Sequence, residues 1–332
     1  MSNAIRTVTV GIIAYNEQSY LPALLQDLLC QTYPHTWIKI VLVDGCSTDN
    51  TWQIMESFRD EYLDEFIDIQ VLKNAKRFQP AGWNLVIDHF TTDVLIRIDA
   101  HARVPQNFVK QNMDCICEGE YVCGGPRENI IDEDKPWKRM LLTAEQSMFG
   151  AGVASYRKET DQKKYVKSVF HAAYRREVVE KVGRFNEALI RTEDNEYHYR
   201  VRKVGYQICY NPAIRSLYQT RNSLKRMIKQ KYQNGLWIGK TLFVCPGCIS
   251  LFHLAPFAFV MAIMMTIILG GLGIGWPAIA LWATYGVVNI EMTAAAMLHE
   301  KRNNCFIILP AVFLALHVSY GVGTIVGILH GR

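Results

Sequence analysis

The sequence predicts an α/β domain built on a mostly parallel sheet, followed by C-terminal transmembrane helices. Three observations predict it. Runs of β-branched residues alternate with helix-like stretches through residues 1–120, the pattern of parallel strands joined by crossover helices. Three long apolar runs fill the end of the chain. Of the 67 charged residues, only Glu291, Glu300, Lys301, Arg302 and Arg332 lie beyond residue 240. The front has a soluble composition and the back does not, which excludes disorder and a wholly soluble chain.

The strand-like runs are Thr7–Ile13, Ile38–Val43, Ile67–Leu72 and Val94–Ile98. Helix-like stretches Ser19–Cys30, Thr51–Tyr62 and Pro80–Phe90 lie between them. Such a sheet is covered on both faces, and its ligands bind beyond the carboxyl ends of the strands. Functional residues are therefore expected just after strands.

The apolar runs span 251–275, 277–298 and 306–329, and their ionisable residues are His253, Glu291 and His317. At about 1.5 Å per residue each is long enough for about 30 Å of hydrocarbon. The link 299–304 is basic, and Arg221–Lys240 holds six Lys/Arg and no acid. Positive charge stays cytosolic, so the front domain is expected inside with three crossings behind it. In 221–245 apolar Leu224, Met227, Ile228, Tyr232, Leu236 and Trp237 alternate with Lys225, Arg226, Lys229 and Lys231. That pattern suits a helix lying on an anionic leaflet. The expected organisation is a cytosolic domain 1–220, an amphipathic interfacial segment 221–245 and a membrane domain 246–332.

The start MSNAIRTVTV shows no secretory signal, and nine cysteines without one read as reduced thiols. Cys245 and Cys248 have no second ligand pair at zinc spacing, so they read as small residues at a membrane edge. A net charge of +5 argues against nucleic acid as a partner.

Three places carry chemistry. Asp44 ends the second strand, where its carboxylate could accept bonds from a base or ribose; Ser47 or Asp49 after it suits a helix N-cap. Asp99 and His101 end the fourth strand two residues apart, so they share a face where a divalent cation could bind. Glu193, Asp194 and Glu196 precede a helix expected from Tyr197 to Gly205, a favourable place for acids and for a general base. There is no G-x-S-x-G, Walker A or G-x-G-x-x-G motif, which removes the common hydrolase, ATPase and dinucleotide readings.

The motif order resembles the family 2 glycosyltransferases. Ile12–Glu17, Val43–Thr51, Asn74–Asn84, Asp99–His101 and Glu193–Asp194 fall in the family's sequence of blocks, with His101 replacing the second acid of a metal-binding D-x-D. A closer likeness is to bacterial succinoglycan-type exopolysaccharide glucosyltransferases, through Asp99–Ala102, Gln146–Gly152 with Tyr156-Arg157, and the apolar tail. Processive members carry Q-x-x-R-W; here Gln233–Trp237 has Leu236 in place of Arg.

The resemblance implies a GT-A fold and inverting transfer from a nucleotide-diphosphate sugar, most simply a UDP-sugar, to a polyprenyl-linked glycan acceptor at the cell membrane. It assigns Asp194 as the catalytic base. Ala14, Asn16, Glu17, Asp44, Arg77 and Asp99 fall on the nucleotide-sugar side, and Asp99 and His101 on a divalent metal, Mn²⁺ favoured over Mg²⁺. Gln146, His171, Glu193 and Trp237 fall on the acceptor side. Two alternatives stand beside this: transfer directly to a polyprenyl phosphate, and a membrane scaffold with a degenerate transferase domain.

Overall fold

In the computed structural model the described residues are 5–150, 161–220, 223–298 and 304–331. Ala151, Gly152, Tyr156, Arg157, Arg221, Arg332 and the basic link 299–303 lie outside them. The elements are β1 (Val8–Ala14), α1 (Leu21–Leu29), β2 (Ile38–Asp44), α2 (Thr51–Tyr62), β3 (Asp68–Lys73), α3 (Gln79–Asp88), β4 (Val94–Asp99) and β5 (Ala102–Arg103). Then follow α4 (Phe108–Cys117), β6 (Val122–Gly124), β7 (Arg127–Ile130), α5 (Pro136–Gln146), β8 (Lys164–Val166), β9 (Ala173–Arg175), α6 (Arg176–Val182) and α7 (Glu193–Lys203). Last come β10 (Ile208–Tyr210), β11 (Ser216–Gln219), α8 (Leu224–Val244), α9 (Leu251–Gly271), α10 (Trp276–Leu298) and α11 (Leu309–Leu329).

The chain divides into two compact units, one of residues 1–128 and 155–218, the other of 129–154 and 219–332. The first holds an eight-stranded sheet in the order β3-β2-β1-β4-β9-β6-β10-β8. Strands β1, β2, β3 and β4 pair in parallel; β9 runs antiparallel to both β4 and β6. Alternating side chains feed two cores. Val8, Val10, Ile12, Ile40 and Leu42 join one with α1 and α4, while Val41 and Val43 join another with Trp83, Val86 and Tyr197. Full burial on both faces is what the unbroken apolar runs require. Gly11 lets α3 approach: a Cβ there would stand 2.6 Å from Val86 Cγ1.

The strands and first three helices match the expected runs to within two residues. Two details differ. The helix after β2 has Asn50 at its N-cap, while Asp49 Oδ1 accepts from Thr51 N at 3.0 Å. Helix α7 begins at Glu193 rather than Tyr197, so Glu193, Asp194 and Glu196 form its first turn and Arg200, Arg202 and Lys203 its last. That charge order suits the helix dipole.

In the second unit, α8 and α11 lie backbone against backbone. A Cβ on Gly235 would stand 2.0 Å from Tyr320 O, and one on Gly239 would stand 2.4 Å from Thr324 O. Reciprocally, Gly323 meets Tyr232 O at 2.1 Å and Gly327 meets Leu236 O at 2.1 Å. Gly321 admits Pro256 of α9 in the same way. The glycines of the last apolar run thus serve packing, and α11 is one continuous helix. Leu224, Met227 and Ile228 pack with Met140, Leu309, Val312 and Phe313. The apolar side of α8, expected on a lipid surface, therefore faces protein.

Leu251–Gly271 and Cys305–Leu329 are the two described helices long and apolar enough to cross a membrane. Helix α10 is 23 residues long but carries Asn289 and Glu291. Three polar side chains in these helices have partners: His253 caps α9 through Ser250 N, Asn289 Nδ2 donates to Pro310 O, and His317 bridges Tyr285 and Phe149 O.

Candidate active site

The carboxyl edge of the sheet carries the expected residues. Register sets Ala14 beside Asp44, Asp44 beside Lys73, and Ile13 beside Asp99. The loops after β1, β2 and β3 each hold one non-glycine residue in the left-handed region: Asn16 at φ 55°, Cys46 at 60° and Arg77 at 63°. Such conformations cost roughly 1–3 kcal/mol each and concentrate where a loop must meet a ligand.

The first two loops are stapled together. Asn16 Oδ1 accepts from Thr48 N at 2.8 Å, Ser47 Oγ accepts from Asn16 N at 2.9 Å, and Thr51 Oγ1 accepts from Glu17 N at 2.8 Å. Asp44 is 1% exposed, and both its oxygens accept from Ser47 N. The side chains of Asn16 and Asp44 thus shape the loops; Asp44 is buried, while Asn16 remains exposed. Arg77 is exposed on the third loop, its N donating to Asn74 O at 3.0 Å.

His101 Nδ1 lies 3.0 Å from Glu17 Oε1, so Glu17 faces the imidazole. Tyr218 meets the ring edge-on at 4.7 Å. Its Nε2 is buried without a hydrogen-bond partner. Burial alone would lower the ring's pKa, but Tyr218, the Glu17 bond and the charge of Asp99 together raise it to about 10. The ring sits in surroundings that attract positive charge.

A small cleft beyond β4 is lined by Gln79, Arg97, Asp99, Phe170, His171, Glu193 and Asp194. Residues 97 and 99 alternate along one strand, so both side chains reach the same face. The Arg97 guanidinium lies 4.2 Å from the Trp83 ring and 4.7 Å from that of Phe185, with Nη2 3.9 Å from Glu193 Oε1. Burial, reinforced by Asp194 and opposed by Arg97, raises the Glu193 carboxyl to about 8. Burial also raises Asp194, again opposed by Arg97.

Gln146 and Trp237 belong to the second unit, Gln146 Nε2 donating to Asn129 O at 3.5 Å and Trp237 O accepting from Thr241 at 2.5 Å. Sequence reasoning missed Gln79, Arg97 and Phe170. Arg97 had a signal, as the one charge inside the apolar run Val94–Ile98; Gln79 and Phe170 had none.

Residues 9–183 match the profile of glycosyl transferase family 2. The chain belongs to that family. Among its relatives, this glycosyltransferase is 26% identical over 331 residues to a Methanococcus voltae dolichyl N-acetyl-α-D-glucosaminyl phosphate 3-β-D-2,3-diacetamido-2,3-dideoxy-β-D-glucuronosyltransferase, covering 98% of both chains. It is 27% identical to the succinoglycan biosynthesis protein ExoA of Rhizobium meliloti, covering 87% of this chain and 91% of that one. A mannosyltransferase from Pyrobaculum calidifontis, solved with GDP-Man and Mn²⁺, superposes with a TM-score of 0.61 at 16% identity over 98% of this chain and 88% of that one. That likeness shows the GT-A fold.

Proposed function

We propose that this glycosyltransferase is a membrane-bound inverting enzyme. It moves a sugar from a nucleotide-diphosphate sugar to a polyprenyl-linked glycan acceptor, in the synthesis of a cell-surface glycan. The observation that carries the reading is the cleft in which Asp99 and Asp194 face one space. Relatives whose names describe a dolichyl-phosphate glycan acceptor and succinoglycan synthesis support the acceptor class.

Among the described residues no three His, Cys, Asp or Glu gather as a metal cluster. The donor set fits a cation nonetheless. His101 presents an unpartnered Nε2 while its other nitrogen is held by a carboxylate, the usual support of a metal-binding imidazole. Asp99 adds an oxygen, and cations at such sites take their remaining ligands from substrate phosphates. A divalent cation there supplies charge neutralisation for the leaving diphosphate. Mn²⁺ is favoured over Mg²⁺, because imidazole is the softer ligand.

Asp194 takes the proton from the acceptor hydroxyl as it attacks the anomeric carbon opposite the diphosphate. Arg97 opposes the burial that raises the Asp194 carboxyl. Glu193, neutral near pH 7, is neither base nor nucleophile. One base without a covalent carboxylate gives single displacement with inversion. The strand ends at Ala14 and Asp44 and the loops bearing Asn16, Glu17 and Arg77 cradle the nucleotide, largely through backbone shape. The catalytic domain faces the cytosol and the apolar helices anchor it in the cell membrane. Incorporation of radiolabelled sugar from UDP- and GDP-sugars into a lipid extract tests the reading. Label on bare polyprenyl phosphate instead of a lipid-linked glycan would replace the acceptor.

A further inference from the structure

His171 is 4% exposed, yet neither ring nitrogen has a hydrogen-bond partner. A buried polar group left unpaired is destabilising, so an imidazole with both nitrogens idle calls for a ligand. The ring does not pack away from the site. It lines the cleft with Asp99 and Asp194, backed by Phe170 at 4.5 Å and Phe108 at 6.5 Å. The backbone fixes it there: Arg97 N donates to Ala172 O at 3.0 Å, and Ile96 pairs with Ala173. His171 therefore stands beside the end of the strand that carries Asp99.

We infer that His171 is a specificity-determining residue, hydrogen-bonding a hydroxyl of the donor's sugar ring; the inference rests on the transferase reading. The donor sugar must lie between the diphosphate at Asp99 and the acceptor oxygen at Asp194, and His171 borders the same cleft as both. This moves it from the acceptor side, where the sequence had set it. Burial, together with Arg127, His101 and Arg97 and against Asp99, holds the ring neutral, its pKa pushed down to about 3. A neutral imidazole offers one N–H donor and one lone pair. That pair complements a hydroxyl, which both donates and accepts, better than it complements a carboxylate.

The test uses the full chain with membrane-lipid acceptor. A panel of UDP-glucose, UDP-galactose, UDP-N-acetylglucosamine and GDP-mannose first finds the donor, and its 2-, 3-, 4- and 6-deoxy forms are then compared. One deoxy form should lose about tenfold in kcat/KM on the native enzyme, the worth of a hydrogen bond. His171→Phe should lose about as much on the parent donor and show no further loss with that deoxy form. His171→Asn, which keeps a donor and an acceptor, should retain discrimination at the same hydroxyl. Unchanged binding of the bare nucleoside diphosphate shows that each variant is folded; if the Phe variant is not, the Asn variant carries the comparison. Native discrimination that persists undiminished in His171→Phe overturns the inference alone. Absence of transfer by the native chain from any donor overturns the transferase reading and the inference with it.

Discussion

The Nδ1 of His101 lies 3.0 Å from Oε1 of Glu17, leaving Nε2 buried and without a partner. A residue from the loop after β1 thereby orients one from the end of β4. Loss of such a support typically costs about 10–100-fold in metal affinity. Glu17→Gln should therefore raise the Mn²⁺ concentration needed for half-maximal transfer by about that factor. Titration of activity against Mn²⁺ measures it, and an unchanged midpoint would detach Glu17 from the metal site.

The same geometry predicts faster transfer with Mn²⁺ than with Mg²⁺ at equal concentration. His101→Asp restores an oxygen ligand and should narrow the difference. Equal activity with both ions in the native enzyme, unaltered by the substitution, would remove His101 from the metal.

Glu193 predicts a pH-dependent stability. Its folded pKa of about 8 lies above the ordinary 4.5, so the fold favours the protonated form. That stabilisation is fully present below about 4.5 and is lost as pH rises through about 8. Thermal unfolding of the detergent-solubilised chain should show a falling midpoint across this window. Glu193→Gln, which stays neutral, should flatten the fall; the same slope in the variant would assign it to other groups.

The glycine contact between α8 and α11 predicts a selective loss of stability. Gly235→Leu would drive a side chain into Tyr320 O, where even a Cβ stands at 2.0 Å. Overpacking of this kind costs about 1–3 kcal/mol or more. Gly286→Ala in α10 meets nothing within 4 Å and should leave the midpoint unchanged or slightly raised. Equal effects of the two substitutions would refute the helix contact.

Much of the front unit was legible because its strands are β-branched and buried on both faces, as Ile38–Val43 is. Asp99 and His101 drew attention because sheets of this kind bind ligands at strand ends, and Asp194 because acids suit the start of a helix. The start of α7 was less legible, since Glu193 and Asp194 read equally as loop acids and as a first helical turn. Arg97 was passed over because the carboxyl it approaches, Glu193, lies nearly a hundred positions away. The fit of Gly235 and Gly239 against Gly323 and Gly327 was invisible for the same reason. Close packing between distant segments leaves no local period to read.

The central claim is that Asp194 is the base of a sugar transfer onto a lipid-linked glycan. Its most direct measurement is radiolabelled sugar transfer to a lipid extract by the native chain and by Asp194→Asn, with donor binding followed in parallel. The account predicts lipid-linked label from the native enzyme, a loss of about 10²–10⁴-fold in the variant, and retained donor binding. Near-normal turnover in Asp194→Asn, or no transfer by the native chain, would contradict it.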